Sequence, residues 1–133
     1  MKRCILSVLV GIAISVVPGH AHHSIAAAYD TRQEITIEGV VTQFQFINPH
    51  PFVMMDVKNG SATVSWMLEL DNRYELVEVG MTSSTLKQGD RIVVTGSPAT
   101  SGHHSLYTKR LDRPADNFRY EQVGSRPRIR AAR

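Results

Sequence analysis

The sequence predicts an all-β fold: a small five-stranded barrel with one short helix, preceded by a signal peptide that is cleaved. Apolar and polar residues alternate in several short runs, Gly, Pro and Asn-Gly turns separate these runs, and only one stretch is typical of a helix. The chain has 133 residues, and its single cysteine, Cys4, lies near the N-terminus. We therefore expect one domain held by a hydrophobic core rather than by disulfides.

The first 21 residues are typical of a secretory signal peptide. Two basic residues precede an uncharged apolar run at residues 5–17, and this run of about 13 residues is too short to span a bilayer. The Gly-His-Ala sequence that ends at Ala21 has small residues where a signal peptidase cuts, so we expect a periplasmic or secreted protein that begins at His22. The alternative is cleavage after Ala28, which would also remove His22 and His23.

The predicted domain spans residues 35–118 and follows a lead-in, 22–34, that is either a helical turn or an extended segment. Its first strand, 35–47, changes apolar phase at Gly39, which indicates a β-bulge that bends the strand. A proline-containing loop at 48–51 ends this strand. The later elements are predicted to be strands 52–57 and 62–70, a short helix 73–79, and strands 91–95 and 104–111. This order is that of the OB-fold, and the alternative is a small β-sandwich.

Five short motifs are weak singly but fairly specific as a set. They are His22-His23-Ser24, Glu38-Gly39-Val40-Val41, Asn48-Pro49-His50, Trp66 with Glu69, and Leu86-Lys87-Gln88-Gly89-Asp90. Together they resemble a family of small exported bacterial proteins of unknown function, over roughly Ala21 to Leu111. The resemblance implies export and a compact β domain. It implies no activity, because the family has none that could be transferred.

Charge is divided unevenly along the chain, whose formal net charge is +3. Residues 22–123 contain 9 Lys and Arg against 12 Asp and Glu, a difference of −3, whereas residues 124–133 contain four arginines and no acid. A mildly acidic domain argues against nucleic-acid binding. We predict that the basic segment 119–133 is a disordered tail. We also expect a monomer with no transmembrane segment in the mature chain, and a small ligand or a periplasmic protein as its partner.

Histidines are the candidate ligand-binding residues. Five remain in the mature chain: His22, His23, His50, His103 and His104. In an OB-fold the first and last loops flank the same face, so we expect His50 to converge with His103 or His104. Imidazole binds copper and zinc, and a free terminal amine at His22 would add a third nitrogen. The sequence therefore predicts a copper or zinc site, and no other cofactor.

Two further groups of residues are alternative candidates for binding. The methionines Met54, Met55 and Met67 are soft ligands for copper(I), but a strand methionine usually fills a core. The aromatic residues could instead form a metal-free platform for a peptide or glycan. This second group consists of Phe44, Phe46, Phe52 and Trp66.

The common hydrolase signatures are absent from the sequence. No Gly-x-Ser-x-Gly, phosphate loop or His-Glu-x-x-His is present. Ser24, Ser105 and Glu69 could lie beside a histidine, but strand alternation predicts that Glu69 is exposed. We therefore expect a binding protein and not an enzyme.

Overall fold

A computed structural model of the chain describes residues 25–131. The predicted signal peptide, its cleavage site after Ala21, and the residues His22 and His23 lie outside this range. The helices are α1 (Ile25–Ala28) and α2 (Arg73–Glu78), with a 3-10 turn at Pro114–Asp116. The strands are β1 (Ile35–Gln45), β2 (Phe52–Asn59), β3 (Ala62–Glu69), β4 (Arg91–Pro98), β5 (Ser105–Arg113), β6 (Phe118–Val123) and β7 (Arg126–Arg130).

Strands β1 to β5 form a closed barrel, which confirms the predicted all-β fold. The sheet order is β3-β2-β1-β4-β5-β6-β7, and a parallel pairing of β3 with β5 closes the first five strands on themselves. In this closing seam Met67 pairs with Ser105, and Glu69 pairs with Tyr107. Closure leaves no free edge within the barrel, and β6 and β7 extend the sheet beyond it.

The long first strand bends close to the predicted position but not at the glycine itself. Its register with β2 shifts between Val41 and Gln43, two residues after Gly39. Gly39 has a different role, because a Cβ at this position would collide with the backbone carbonyl of Asp56. The change in apolar phase therefore predicted the bulge correctly and misplaced it slightly.

The core fills the barrel and includes a leucine of α2. Asn72 caps α2 by accepting a hydrogen bond from the Tyr74 N–H at 2.8 Å. Leu76, which is part of this helix, is fully buried. Buried and more exposed residues alternate along much of β2 and the first half of β4, as expected for strands with one face on the core. The fully buried strand residues include Val41, Val53, Met55, Leu68, Ile92, Val94, Leu106 and Leu111.

The predicted disordered tail is wrong, because most of it is a β-hairpin. β6 pairs with β5, and β7 pairs with β6. In the second pairing Arg119 lies opposite Arg130 at one end, and Val123 lies opposite Arg126 at the turn. Phe118 and Tyr120 are part of the core, and Ile129 packs against it. The arginines hid this pattern, since they alternate with Pro127 and Ile129 at the strand period of two. No helix among residues 25–131 is long and apolar enough to cross a membrane.

Candidate functional site at the β3–β5 seam

Tyr29 fastens the N-terminal segment to the outside of the barrel. Its backbone forms an isolated β-bridge with Ala99, and its side chain is 5% exposed. The phenol donates a hydrogen bond to Oε2 of Glu69 at 2.6 Å and lies 3.4 Å from Oγ of Ser105. Burial, followed by this carboxylate, raises the pKa of Tyr29 to about 12. The phenol is therefore a protonated donor at neutral pH.

Glu69 ends β3 on the outer face of the seam, where the sequence predicted exposure. That expectation is wrong, since only 18% of the side chain is exposed. Alternation does direct Glu69 away from the core, but the segment that carries Tyr29 covers it. The alternation within β3 cannot show that Tyr29, 40 positions away in the sequence, shields Glu69 from solvent. The result is a sheltered carboxylate with one oxygen already bound.

His50 lies at the other oxygen of this carboxylate. Its Nδ1 is 3.0 Å from the carbonyl oxygen of Leu70 and 3.5 Å from Oε1 of Glu69. A carbonyl only accepts hydrogen bonds, so Nδ1 carries the proton and donates. The other ring nitrogen, Nε2, makes no hydrogen bond to residues 25–131. In the neutral ring, Nε2 therefore has a lone pair available to a ligand.

The loop that carries His50 is held in place by backbone hydrogen bonds on both sides of the histidine. Pro49 accepts a hydrogen bond from the Arg73 N–H at 2.9 Å, and Pro51 accepts one from the Leu70 N–H at 2.9 Å. The ring is 28% exposed, so it is supported yet accessible. This arrangement fixes the imidazole before any ligand binds.

The β4–β5 loop, which carries His103 and His104, lies against the N-terminal segment. The Thr100 N–H donates to the carbonyl of Ala28 at 2.9 Å, and the Asp30 N–H donates to that of Pro98 at 2.9 Å. Both histidines are exposed, and the ring of His104 lies against Trp66 with 5.0 Å between centroids. The N-terminal segment thus contacts both the Glu69 cluster and the loop of His103 and His104.

The structure does not bring His50 together with His103 and His104 in one group. Trp66 and Glu69 face opposite sides of β3 and are three residues apart, which is about 10 Å along a strand. Residues 25–131 contain no group of three or more His, Cys, Asp or Glu that could hold a metal ion. Of the predicted ligands, His50 therefore lies with Glu69, His104 lies with Trp66, and His22 and His23 are outside the described residues.

Sequence reasoning missed a second polar network beside the first. Gln122 donates to Oδ2 of Asp71 at 2.9 Å and to the Tyr107 hydroxyl at 2.6 Å. The centroids of the Tyr107 and Tyr29 rings are 5.8 Å apart, and this ring contact joins the two networks. Burial raises the pKa of Tyr107. A lone tyrosine after three alanines was the signal that could have identified Tyr29.

The alternative binding residues lie mostly in or against the core. Met55 is fully buried, whereas Met54 and Met67 are opposite each other on β2 and β3. Three of the four proposed platform aromatics, Phe44, Phe46 and Trp66, pack against the core. The guanidinium of Arg73 also lies 4.9 Å above the Phe46 ring. All four aromatic residues are half-buried.

Fold and site together define a small closed β-barrel with a polar seam covered by its N-terminal segment. The chain matches the family of unknown function DUF6152 over residues 10–107 and belongs to that family. The match ends within β5, before the β6–β7 hairpin. No curated protein matches the chain significantly.

Two solved structures that are similar to this chain are both of TiaS. One is the ZRD-deleted mutant of TiaS in complex with agmatine, with 20% identity and a TM-score of 0.45 over 61% of this chain. The other is TiaS in complex with an isoleucine tRNA and ATP, with 20% identity and a TM-score of 0.45 over 69% of this chain. The matched region spans only 21% and 23% of the respective TiaS chains.

Proposed function

We propose that this protein is an exported binding domain, without catalytic activity, whose ligand is copper or zinc. The metal is held by His50 together with histidines of the mature N-terminus. The observation that carries the proposal is the orientation of His50, whose Nδ1 is bound by the Leu70 carbonyl while Glu69 lies beside it. Metal-binding histidines almost always donate their other ring N–H to a carbonyl or a carboxylate, which orients the ring and raises its basicity.

Only six positions separate His23 from Tyr29, the residue that contacts Glu69. His23 precedes Ile25 by two residues, which span at most about 7 Å of extended backbone. One helical turn then leads from Ile25 to Tyr29, whose hydroxyl contacts Glu69. Cleavage after Ala21 would give His22 a free amine as well as a ring nitrogen. Together with His50 these form a set of three nitrogen donors.

Three nitrogen donors would suit the tetragonal geometry that copper(II) prefers. Zinc prefers four tetrahedral ligands and would require a further donor, which His23 or a water molecule could supply. Both metals are therefore included in the test. Either must compete with protons for the imidazoles and the amine, so affinity should fall as the pH is lowered towards about 6.

The test uses untagged mature protein whose start at His22 has been verified by intact mass. Copper and zinc affinities are measured by calorimetry, and His50→Ala is compared with the double variant His103→Ala/His104→Ala. His50→Ala should weaken binding more than the roughly 10- to 100-fold that loss of a ligand's hydrogen-bonding partner costs. The double variant should bind like the parent, because the ring of His104 lies against Trp66, on the opposite side of β3 from Glu69.

Thermal unfolding gives an independent measurement on the same proteins. A metal bound only by the native state should stabilise the parent by about 2.7 kcal/mol at a hundredfold excess over its dissociation constant. His50→Ala should fold and lack this shift. Unchanged affinity in His50→Ala would reduce the site to a peptide chelate at the N-terminus and contradict a role for the barrel. Loss of affinity only in the double variant would move the site to the β4–β5 loop.

A further inference from the structure

The outer face of the β5–β6–β7 sheet is rich in arginine. Cross-strand partners in an antiparallel pair point to the same side of a sheet. The pairing registers define two rows across the three strands. One row consists of Arg110, Glu121 and Arg128, and the next consists of Asp112, Arg119 and Arg130. With Arg126, which pairs with Val123, this face has five arginines and two acids, a balance of 5 − 2 = +3. We call these eight residues the basic face.

The positive charge is concentrated on β7. Asp112 is already bound by Arg110 and Arg119, at 2.6 Å each. Within residues 25–131, by contrast, the three arginines of β7 make no ion pair, and Arg130 donates only to the carbonyl of Asn117 at 3.1 Å. They occupy alternate positions of an edge strand, so their side chains form a row with about 6.6 Å between neighbours.

We propose that the basic face binds an anionic phospholipid surface through the arginine row of β7. The partner must be negative and extended, since it has to meet a flat row of three guanidinium groups, which bind phosphate well. The exposed Val123 adjoins Arg126 at the hairpin turn, and 41% of it is open to solvent. An apolar residue beside basic ones is the combination that enters the interface between headgroups and acyl chains.

The charge of the rest of the domain would orient it on such a surface. Residues 22–123 have a balance of −3, so most of the acidic residues belong to the barrel and α2. Glu75 and Glu78 of α2 line a hollow together with Arg126 and Arg128, and the other acids of the barrel lie outside that hollow. A membrane with anionic lipids attracts basic residues near it and repels the acidic remainder. The barrel and its seam would consequently remain turned towards the aqueous side.

The test is cosedimentation of the metal-free mature protein with lipid vesicles. Vesicles of phosphatidylcholine with phosphatidylglycerol should bind the protein, vesicles of phosphatidylcholine alone should not, and binding should weaken as salt is raised. Each arginine near an anionic surface changes the partition coefficient about fivefold. The triple variant Arg126→Gln/Arg128→Gln/Arg130→Gln should therefore bind about a hundredfold more weakly than the parent.

A matched control removes the same charge from positions outside the hairpin. The variant Arg32→Gln/Lys58→Gln/Lys87→Gln alters three exposed residues outside the hairpin and should retain the parent's binding. Replacing the three β7 arginines by lysine keeps the charge and should retain most of the binding, which separates charge from any loss of folding. Equal losses in both glutamine variants would overturn the proposal, because net charge alone would then explain binding.

Two other results would also overturn it. One is equal binding to vesicles with and without phosphatidylglycerol. The other is tighter, arginine-dependent binding to duplex DNA or a sulfated glycan than to the vesicles, which would make the row a site for a different polyanion. Since the protein is free of metal throughout, neither result depends on the proposed histidine site.

Discussion

The two ends of the described chain attach to the barrel by different physical means. At the N-terminal end a single buried side chain, Tyr29, makes a hydrogen bond to Glu69, and a few backbone hydrogen bonds support it. At the C-terminal end β6 and β7 extend the sheet, while Phe118, Tyr120 and Ile129 pack against the core. One attachment is mainly polar and local, and the other is mainly apolar and extended.

This difference separates the positioning of a site from the stability of the fold. A hydrogen bond to a charged group and a fully buried large apolar side chain each contribute about 1.5–3 kcal/mol, so the number of such contacts decides which attachment is stronger. Several such side chains come from the hairpin and only one from the N-terminal segment. We therefore expect the hairpin to contribute more to the stability of the barrel than the N-terminal segment does.

Deleting residues 124–133 is the change with the largest expected effect. It removes β7, exposes the inner side of Tyr120, and leaves β6 as an unpaired edge. Loss of Ile129 and Pro127 burial should cost about 3 kcal/mol, and the melting temperature should fall by about 10 °C. Thermal unfolding followed by circular dichroism measures this change. A control that lacks only residues 131–133 should melt like the parent, and an unchanged melting temperature in the longer deletion would contradict the hairpin.

The barrel was predictable because its signals are local. Strand alternation, the Asn-Gly turn between β2 and β3, and the short helix each depend on residues close in the chain. The observed bounds of β2, β3 and α2 lie within two residues of the predicted ones. The β6–β7 hairpin was missed because overall composition was given more weight than period. In β7 the arginines alternate with Pro127 and Ile129 as regularly as polar and apolar residues do in the earlier strands. The high density of arginine, however, is typical of a solvated tail.

The site was less predictable because its contacts are distant in sequence. The sequence singled out His50, but its neighbour Glu69 was expected to be exposed, and Tyr29 was not selected at all. Glu69 is covered by a segment 40 residues away, and only the closure of β3 on β5 brings Ser105 to the same place. Spacing along one sequence contains no information about such a cover.

Replacing Tyr29 by Phe should have an intermediate effect. The ring still packs, but the Glu69 carboxylate loses a hydrogen bond from the phenol at 2.6 Å. The expected loss is about 1–3 kcal/mol in the free energy of unfolding, because a partly buried charged acceptor is left without its partner. Urea unfolding at neutral pH measures it. No loss would show that Tyr29 attaches the segment through its ring alone.

The alkaline pH profile sharpens the same comparison. The pKa of Tyr29 is raised to about 12 in the folded protein, against 10.0 for the free side chain. A raised pKa means that its contribution to stability is complete below pH 10 and is lost as the pH rises towards about 12. The parent should therefore lose stability over this range more steeply than Tyr29→Phe. Identical slopes would contradict the assignment of the buried phenol as a donor to Glu69.

Replacing Tyr120 by Phe is the matched change in the hairpin and should have the smallest effect. Tyr120 is fully buried, and its hydroxyl lies near the Asp71 backbone and Gln122 yet has no hydrogen bond of good geometry within the described chain. Removing a buried hydroxyl without a partner sacrifices no hydrogen bond and relieves a desolvation cost, while the ring continues to fill the core. The free energy of unfolding should therefore stay within about 0.5 kcal/mol of the parent's or rise slightly.

The same urea titration measures both tyrosine variants. A loss as large as that of Tyr29→Phe would mean that the hairpin, like the N-terminal segment, depends on a specific polar contact, and the contrast between an apolar and a polar attachment would no longer hold.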